Sequence, residues 1–169
     1  HKTLASILTQ TISNKCKITI VNDCGEDYRD IIYYFSEWLD IQEIRLPENS
    51  GPGVARQFGI DNTELPYIMF IDADDTFYGS LALEIFLGTM ERNEHCELVV
   101  STFVEQTYMP ELFVYHHPKN LIWVFGKMYR RKFIIDNNLR FNNSRSNEDT
   151  GFNTLFSLCL PDIYKEEIV

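Results

Sequence analysis

Asp72, Asp74 and Asp75 crowd the end of an apolar run, Tyr67-Ile-Met-Phe-Ile71. Three carboxylates this close repel one another. They stay ionised together only with a cation or hydrogen-bond donors beside them. Hard divalent ions such as Mg2+ or Mn2+ take oxygen ligands of this kind and share them with a substrate's phosphates. The chemistry to expect is metal-assisted handling of a phosphorylated ligand. The plain alternative is an acidic turn that follows a strand.

Composition narrows the partners. A chain of 169 residues suits one domain with a sizeable core. With 44% hydrophobic and 24% charged residues it has the profile of a soluble globular protein. The net charge of -10 argues against non-specific binding to nucleic acid or to an anionic membrane surface. An anionic ligand must then be held by a cation or by a local basic group. Cys16, Cys24, Cys96 and Cys159 form neither a CxxC pair nor a zinc spacing, which suits a reducing, cytoplasmic compartment. No apolar run approaches the roughly 20 residues that span a bilayer, and no signal peptide is visible. The chain begins at His1 and closes on Ile168-Val169, which read as a strand; both ends look cut, so a longer protein is expected.

Elements of alternating type must position the acids. Leu4, Ile7, Leu8 and Ile12 have helical spacing, which predicts a helix over 3–12. A β-branched strand over 17–21 runs into the polar turn 22–27. A helix follows over 27–39, then a strand over 42–46. The loop 47–53 holds two glycines and two prolines, with Ser50 as the expected helix cap and Pro52 in the first turn of a helix carrying Arg56. Gly51 and Gly53 read as turn glycines. The strand 67–71, a helix over 81–90 and a strand over 98–104 complete the first part. Beyond it come the loop or strand end 115–119, the aromatic and basic segment 123–131, a short helix over 132–138, and a helix over 150–160 beside Glu148 and Asp149. Strands alternating with helices predict an α/β fold with a mainly parallel sheet flanked by helices. Ligands in such sheets bind at the carboxyl ends of strands, where Asp23 and Asp72 both fall. A single domain is expected, with a first part over 1–107 and a mixed second part over 108–169.

Read in order, five segments resemble a family 2 glycosyltransferase of the GT-A fold. They are Ser6-Ile-Leu-Thr-Gln10, Ile20-Val-Asn-Asp-Cys-Gly-Glu-Asp27, Asn49-Ser-Gly-Pro-Gly-Val-Ala-Arg-Gln57, Phe70-Ile-Asp-Ala-Asp-Asp75 and Asn147-Glu-Asp-Thr150. Trp123-Val-Phe-Gly-Lys-Met-Tyr-Arg-Arg131 also looks like the family's segment ahead of its last acidic motif. The family's first strand, which helps hold the nucleotide, would lie before His1. Asn22 and Cys24 stand where the family more often has Asp and Gly.

The resemblance implies a nucleotide-sugar donor, most often a UDP-sugar, a saccharide or other hydroxyl acceptor, and Mn2+ or Mg2+ as the metal. It implies that Asp23 accepts a hydrogen bond from the pyrimidine and that Arg56 supports the diphosphate or orders the acidic loop. Asp72 would face the ribose or the metal, Asp74 would ligate the metal, and Asp75 would support them or cap a helix. Asp149 would be the general base of an inverting transfer, with Glu148 orienting it or the acceptor. The same residues have plainer readings: Asp23 as an Asx turn, Arg56 as a surface cation, and Glu148 and Asp149 as acids favoured at a helix start. His116 and His117 read as metal or diphosphate contacts, or as plain loop. Trp123 reads as a platform for a sugar ring or as core. Lys127, Arg130 and Arg131 read as contacts to an anion or as a solvated helix face.

Two rivals use the same acids differently. Asp72-Ala-Asp-Asp-Thr76 fits the DxDxT pattern of haloacid-dehalogenase-like phosphohydrolases, with Asp72 as nucleophile and Asp74 as acid/base. That motif usually opens its chain, and the upstream segments would have no role. An EF-hand loop fails, because Thr76 and Phe77 stand where an acidic or amide residue and a glycine belong. A non-catalytic nucleotide-sugar or metal-binding module is the third reading.

Overall fold

The computed structural model describes residues 1–106, 112–116, 122–160 and 164–165. Helix α1, Lys2–Leu8, is shorter than the predicted 3–12. It stops where Gln10 and Thr11 turn to another segment: Gln10 Nε2 donates to the Gly79 carbonyl at 2.6 Å and the Thr11 amide to the Ser80 carbonyl at 2.9 Å. Strand β1, Lys17–Asn22, pairs in parallel with β2, Asp40–Arg45, through the crossover helix α2, Arg29–Phe35. Leu4 and Ile7 of α1 meet Phe35 and Leu39 over Ile18, Ile20 and Ile41 of these strands.

Helix α3, Pro52–Asp61, is not capped by Ser50. Gly51 takes the cap position with φ 91°, a conformation that favours glycine, and the Ser50 hydroxyl turns back to the Glu48 carbonyl at 3.3 Å. Pro52 stands at the head of the helix as predicted. Strand β3, Tyr67–Met69, leads into the acidic loop. Helix α4, Ala82–Arg92, and strand β4, Leu98–Val100, follow.

The predicted strand 98–104 breaks at Ser101, whose amide donates to the Gly126 carbonyl at 2.9 Å. The chain then leaves as β5, Phe103–Gln106, to pair antiparallel with β6, Phe113–His116. Strand β7, Lys127–Arg130, returns between β3 and β4, antiparallel to both, with Met128 opposite Met69 on one side and Val99 on the other. Helix α5, Arg131–Asp136, and helix α6, Glu148–Cys159, come next, and β8, Tyr164–Lys165, lies parallel to β4. The α/β class and flanking helices are as predicted. The reversed β7 makes the larger sheet mixed. The strand predicted at 168–169 falls outside the described residues.

Alternation along the strands divides the core. Leu98, Val100 and Tyr129 face α6, where Phe152 and Phe156 are fully buried. Val99 and Met128 face Phe86 and Met90 of α4. Burying a Phe contributes roughly 1.5–3 kcal/mol, and Phe152 also stacks on Phe141 with ring centroids 4.1 Å apart. These contacts fix the axis of α6, and with it the place of Glu148 and Asp149. No helix among the described residues is long and apolar enough to cross a membrane.

Candidate active site

The acidic loop is built on α1. Thr3 and Ser6 of this helix, and Gln10 just beyond its end, recur at helical spacing and point at one stretch of chain. Thr3 Oγ1 lies 2.8 Å from the Ala73 carbonyl and 2.7 Å from that of Asp75, so its single proton reaches either. Ser6 Oγ accepts the Phe77 amide at 3.1 Å, and Gln10 Oε1 accepts that of Leu83 at 3.1 Å. The apolar stripe of Leu4, Ile7 and Leu8 predicts one face of this helix. The spacing of Thr3, Ser6 and Gln10 was the signal for the other.

Held by its backbone, the loop turns Asp72, Asp74 and Asp75 to solvent. Partial burial raises the Asp75 pKa, and the fields of Asp72 and Asp74 add to it. The three carboxylates therefore sense one another. Among the described residues no cluster of acids, His or Cys forms a ready-made metal cage. Exposed oxygen donors in a shared negative field nevertheless fit a hard divalent ion that keeps its waters and takes ligand phosphates as further ligands. Mg2+ commonly binds in this manner.

Arg56 joins two motifs that lie far apart in the chain. Its side chain is 15% exposed. Nη2 donates to Asp72 Oδ1 at 3.0 Å, and Nη1 donates to Glu148 Oε1 at 2.6 Å. Burial opposes the guanidinium charge, but the two carboxylates outweigh it and raise its pKa. The approach of α3 to α6 depends on small residues. A Cβ at Gly53 would run into the Asn142 carbonyl oxygen and lie 3.0 Å from Glu148 Cβ. A Cβ at Gly151 would lie 2.9 Å from Asn142 Nδ2. Gly53 is thus a close-approach residue rather than a turn residue; Gly51 is the turn glycine.

Asp23 sits just past β1, and its two oxygens accept the amides of Ser50 at 2.7 Å and Gly51 at 2.8 Å. It therefore orders the entry to α3. A carboxylate has about four lone-pair sites, so two amides do not exhaust it. Arg145 braces the same loop, donating to Asn49 Oδ1 at 3.2 Å and to the Asn49 carbonyl at 3.0 Å.

Helix α6 starts two residues earlier than predicted, so Glu148 and Asp149 lie in its first turn. Glu148 is buried against Arg56. Asp149 is half-buried, and its Oδ1 accepts the Thr150 amide at 2.7 Å. Lys127 is not on a solvated helix face. It opens β7 with 2% exposure, and its ammonium donates to the Trp123 carbonyl. Burial pushes its pKa down to about 8, and the charge of Asp149 works the other way. Asn153 ties this corner together: it accepts from Tyr129 at 2.7 Å and donates to the carbonyls of Ile122 and Trp123, each at 3.0 Å.

Trp123 is half-buried in an aromatic cluster, 5.4 Å from the Phe103 ring and 5.8 Å from that of Phe125. His116 stacks on Phe103 at 4.6 Å, with Nε2 2.8 Å from Glu105 Oε2, so its polar edge is engaged by that carboxylate. His117 falls outside the described residues. Arg130 pairs with Glu97 at 3.1 Å and lies over the Tyr67 ring.

Comparison with known proteins gives a consistent result. The chain matches the family described as Glycosyl transferase family 2 over residues 1–152. It is 35% identical over 92 residues to an uncharacterized glycosyltransferase of Rickettsia bellii (strain RML369-C), covering 54% of this chain and 13% of that protein. It is 28% identical over 145 residues to glycosyltransferase GlyA of Streptococcus pneumoniae serotype 4 (strain ATCC BAA-334 / TIGR4), covering 85% and 19% respectively. The chain thus spans less than a fifth of these curated relatives. In fold it is similar to S. aureus TarS 1-349 in complex with UDP, with a TM-score of 0.81 at 19% identity, over 99% of this chain and 56% of that one. It is also similar to the mannosyltransferase PcManGT from Pyrobaculum calidifontis in complex with GDP-Man and Mn2+, with a TM-score of 0.68 at 14% identity, over 90% of this chain and 46% of that one.

Proposed function

We propose that this chain, which belongs to glycosyltransferase family 2, moves a sugar from a nucleotide-diphosphate donor, foremost a UDP-sugar, to an acceptor hydroxyl with inversion. The observation that carries this reading is the Arg56 bridge. One guanidinium binds Asp72 of the acidic loop and Glu148, the chain neighbour of Asp149. The acidic loop and the head of α6 are thereby brought to one place. Structural neighbours that hold UDP, or GDP-Man with Mn2+, support a nucleotide sugar and a divalent ion. The phosphohydrolase alternative gives no role to Asp23, Arg56 or Glu148.

In this reading residues 1–107 handle the donor and residues 108–169 the acceptor. Asp23 accepts a hydrogen bond from the base with the lone pairs left over from Ser50 and Gly51. Asp72 and Asp74 hold Mn2+ or Mg2+, with Asp75 behind them. A divalent ion there supplies Lewis-acid neutralisation of the departing diphosphate. Arg56 keeps Asp72 in place and engages Glu148, which leaves Asp149 as the free carboxylate of its pair. Asp149 takes the acceptor's hydroxyl proton as that oxygen bonds to the anomeric carbon and the bond to the diphosphate breaks. A single displacement of this kind inverts the anomeric centre. Trp123 offers an aromatic face toward the acceptor side.

Calorimetry with UDP, with and without Mn2+, tests the donor half. Binding should require the metal and be lost in Asp74→Ala. Asp149→Asn should retain that binding and lose transfer by on the order of 10²–10⁴-fold. Metal-independent UDP binding, or an Asp149→Asn variant of unchanged rate, would overturn the corresponding assignment.

A further inference from the structure

A buried ammonium stands out beside this site. Lys127 is 2% exposed, yet among the described residues its Nζ has a single hydrogen-bond acceptor, the Trp123 carbonyl. A lysine carries three N–H donors, and a charge this buried normally has a counter-charge. The topology says why the residue is where it is. Because β7 runs against β3 and β4, its first residue lies level with the ends from which those strands leave the sheet: Lys127 is opposite Val100, and Met128 is opposite Met69. That is the rim from which the acidic loop departs.

We propose that Lys127 is a positioning residue for transfer, a built-in cation at the head of α6 that holds Asp149 turned toward the acceptor. The proposal rests on the reading of Asp149 as base. Several charged or titratable groups surround this corner. Arg56 of α3 and Glu148 of α6 are bound to each other. Tyr129 of β7 is neutral, held well above its ordinary range by burial, and donates to Asn153. Asn153, one turn along α6 from Asp149, donates to the same Trp123 carbonyl that takes the Lys127 ammonium, so Lys127 meets the side of α6 that carries Asp149, and the Asp149 charge works against the effect of burial on it. The need for a counter-ion follows from the surroundings. Asp72, Asp74, Asp75, Glu148 and an incoming diphosphate crowd negative charge at this rim, and Arg56 is already taken up by Asp72 and Glu148. A fixed cation offsets that field. Through the Trp123 carbonyl the same ammonium also holds this corner to the aromatic wall. In the step itself the acceptor O–H bond breaks and the proton goes to Asp149; Lys127 keeps its own.

Two measurements test the pair in the full chain. The first is a pH titration of the Lys127 side chain by 13C-labelled lysine NMR, in wild type and in Asp149→Asn. The wild-type midpoint should fall near 8, and loss of Asp149 should move it lower; a midpoint that does not move overturns the pairing. The second follows UDP release from UDP-glucose and UDP-N-acetylglucosamine with Mn2+ against pH. Wild type should lose rate as pH rises through about 8. Lys127→Met should lose on the order of 10²-fold without that step. Lys127→Arg, which keeps a cation throughout, should lack the step and retain more rate. A Lys127→Met profile that matches wild type overturns the proposal, even if Asp149→Asn is inactive. An active Asp149→Asn sinks the base assignment instead, whatever the NMR titration shows.

Discussion

At Asp72–Asp75 the carboxylates stand in solvent, and the protein grips the backbone beneath them through Thr3, Ser6 and Gln10. At Glu148 and Asp149 the side chains themselves are set into the protein, beside Arg56 and Lys127. The first region leaves its negative charge uncompensated, with Arg56 on Asp72 as its one ion pair among the described residues. The second carries its own cations. A site that must take up a metal and release it benefits from an open shell on a rigid backbone. A site that must keep one carboxylate ready for a proton benefits from fixed neighbours in a medium of low dielectric.

The contrast can be broken most severely at Arg56. Arg56→Met leaves Glu148 buried without its partner, which should destabilise the fold by about 3–5 kcal/mol in urea denaturation. Adding Glu148→Gln should recover most of that loss. An unchanged midpoint would mean that the head of α6 does not depend on this bridge.

Lys127 gives the next effect, and its sign follows from proton binding. Its folded-state pKa of about 8 lies below the ordinary lysine value of 10.5. Between those values the unfolded chain binds more protons, so stability rises with pH across that window. Lys127→Met should therefore be more stable than wild type near pH 7, by ~3 kcal/mol from the size of the shift. The gain should shrink as pH rises through 8 and vanish near the ordinary lysine range. Melting curves at several pH values check this. A variant that is less stable at pH 7 would assign Lys127 a purely structural role.

The smallest effect belongs to the first region. Thr3→Val keeps the shape and removes the hydroxyl under the acidic loop, at about 1 kcal/mol for one hydrogen bond. The expected result is a small drop in melting temperature with a several-fold weaker Mn2+-dependent binding of UDP. Equal binding would show that the loop holds its form without α1.

Much of this was legible beforehand. The apolar strand that breaks into Asp72, the Pro52 helix start and the periodicity of α6 each reflect local chemistry that a sequence states directly. Three features were not. The direction of β7 is set by its pairing with strands some 30 and 60 residues earlier, which no periodicity encodes. The role of Gly53 depends on Asn142, which only the fold brings near it. Ser50 has the right chemistry for a helix cap, but Asp23 takes the Ser50 and Gly51 amides from across the sheet. Thr3, Ser6 and Gln10 could have been found, since polar residues at helical spacing next to an apolar stripe imply a second partner.

The placement of β7 bears on how the molecule is made. β3 and β4 are never neighbours; each pairs with a strand synthesised after both of them. A nascent chain that has emerged only as far as β4 holds two short β-segments with an open slot between them. Assembly must wait for the late strand to wedge in, a long-range step of the kind that slows folding. Lys127 rides on that wedge, so sheet closure and the delivery of the buried cation are one event.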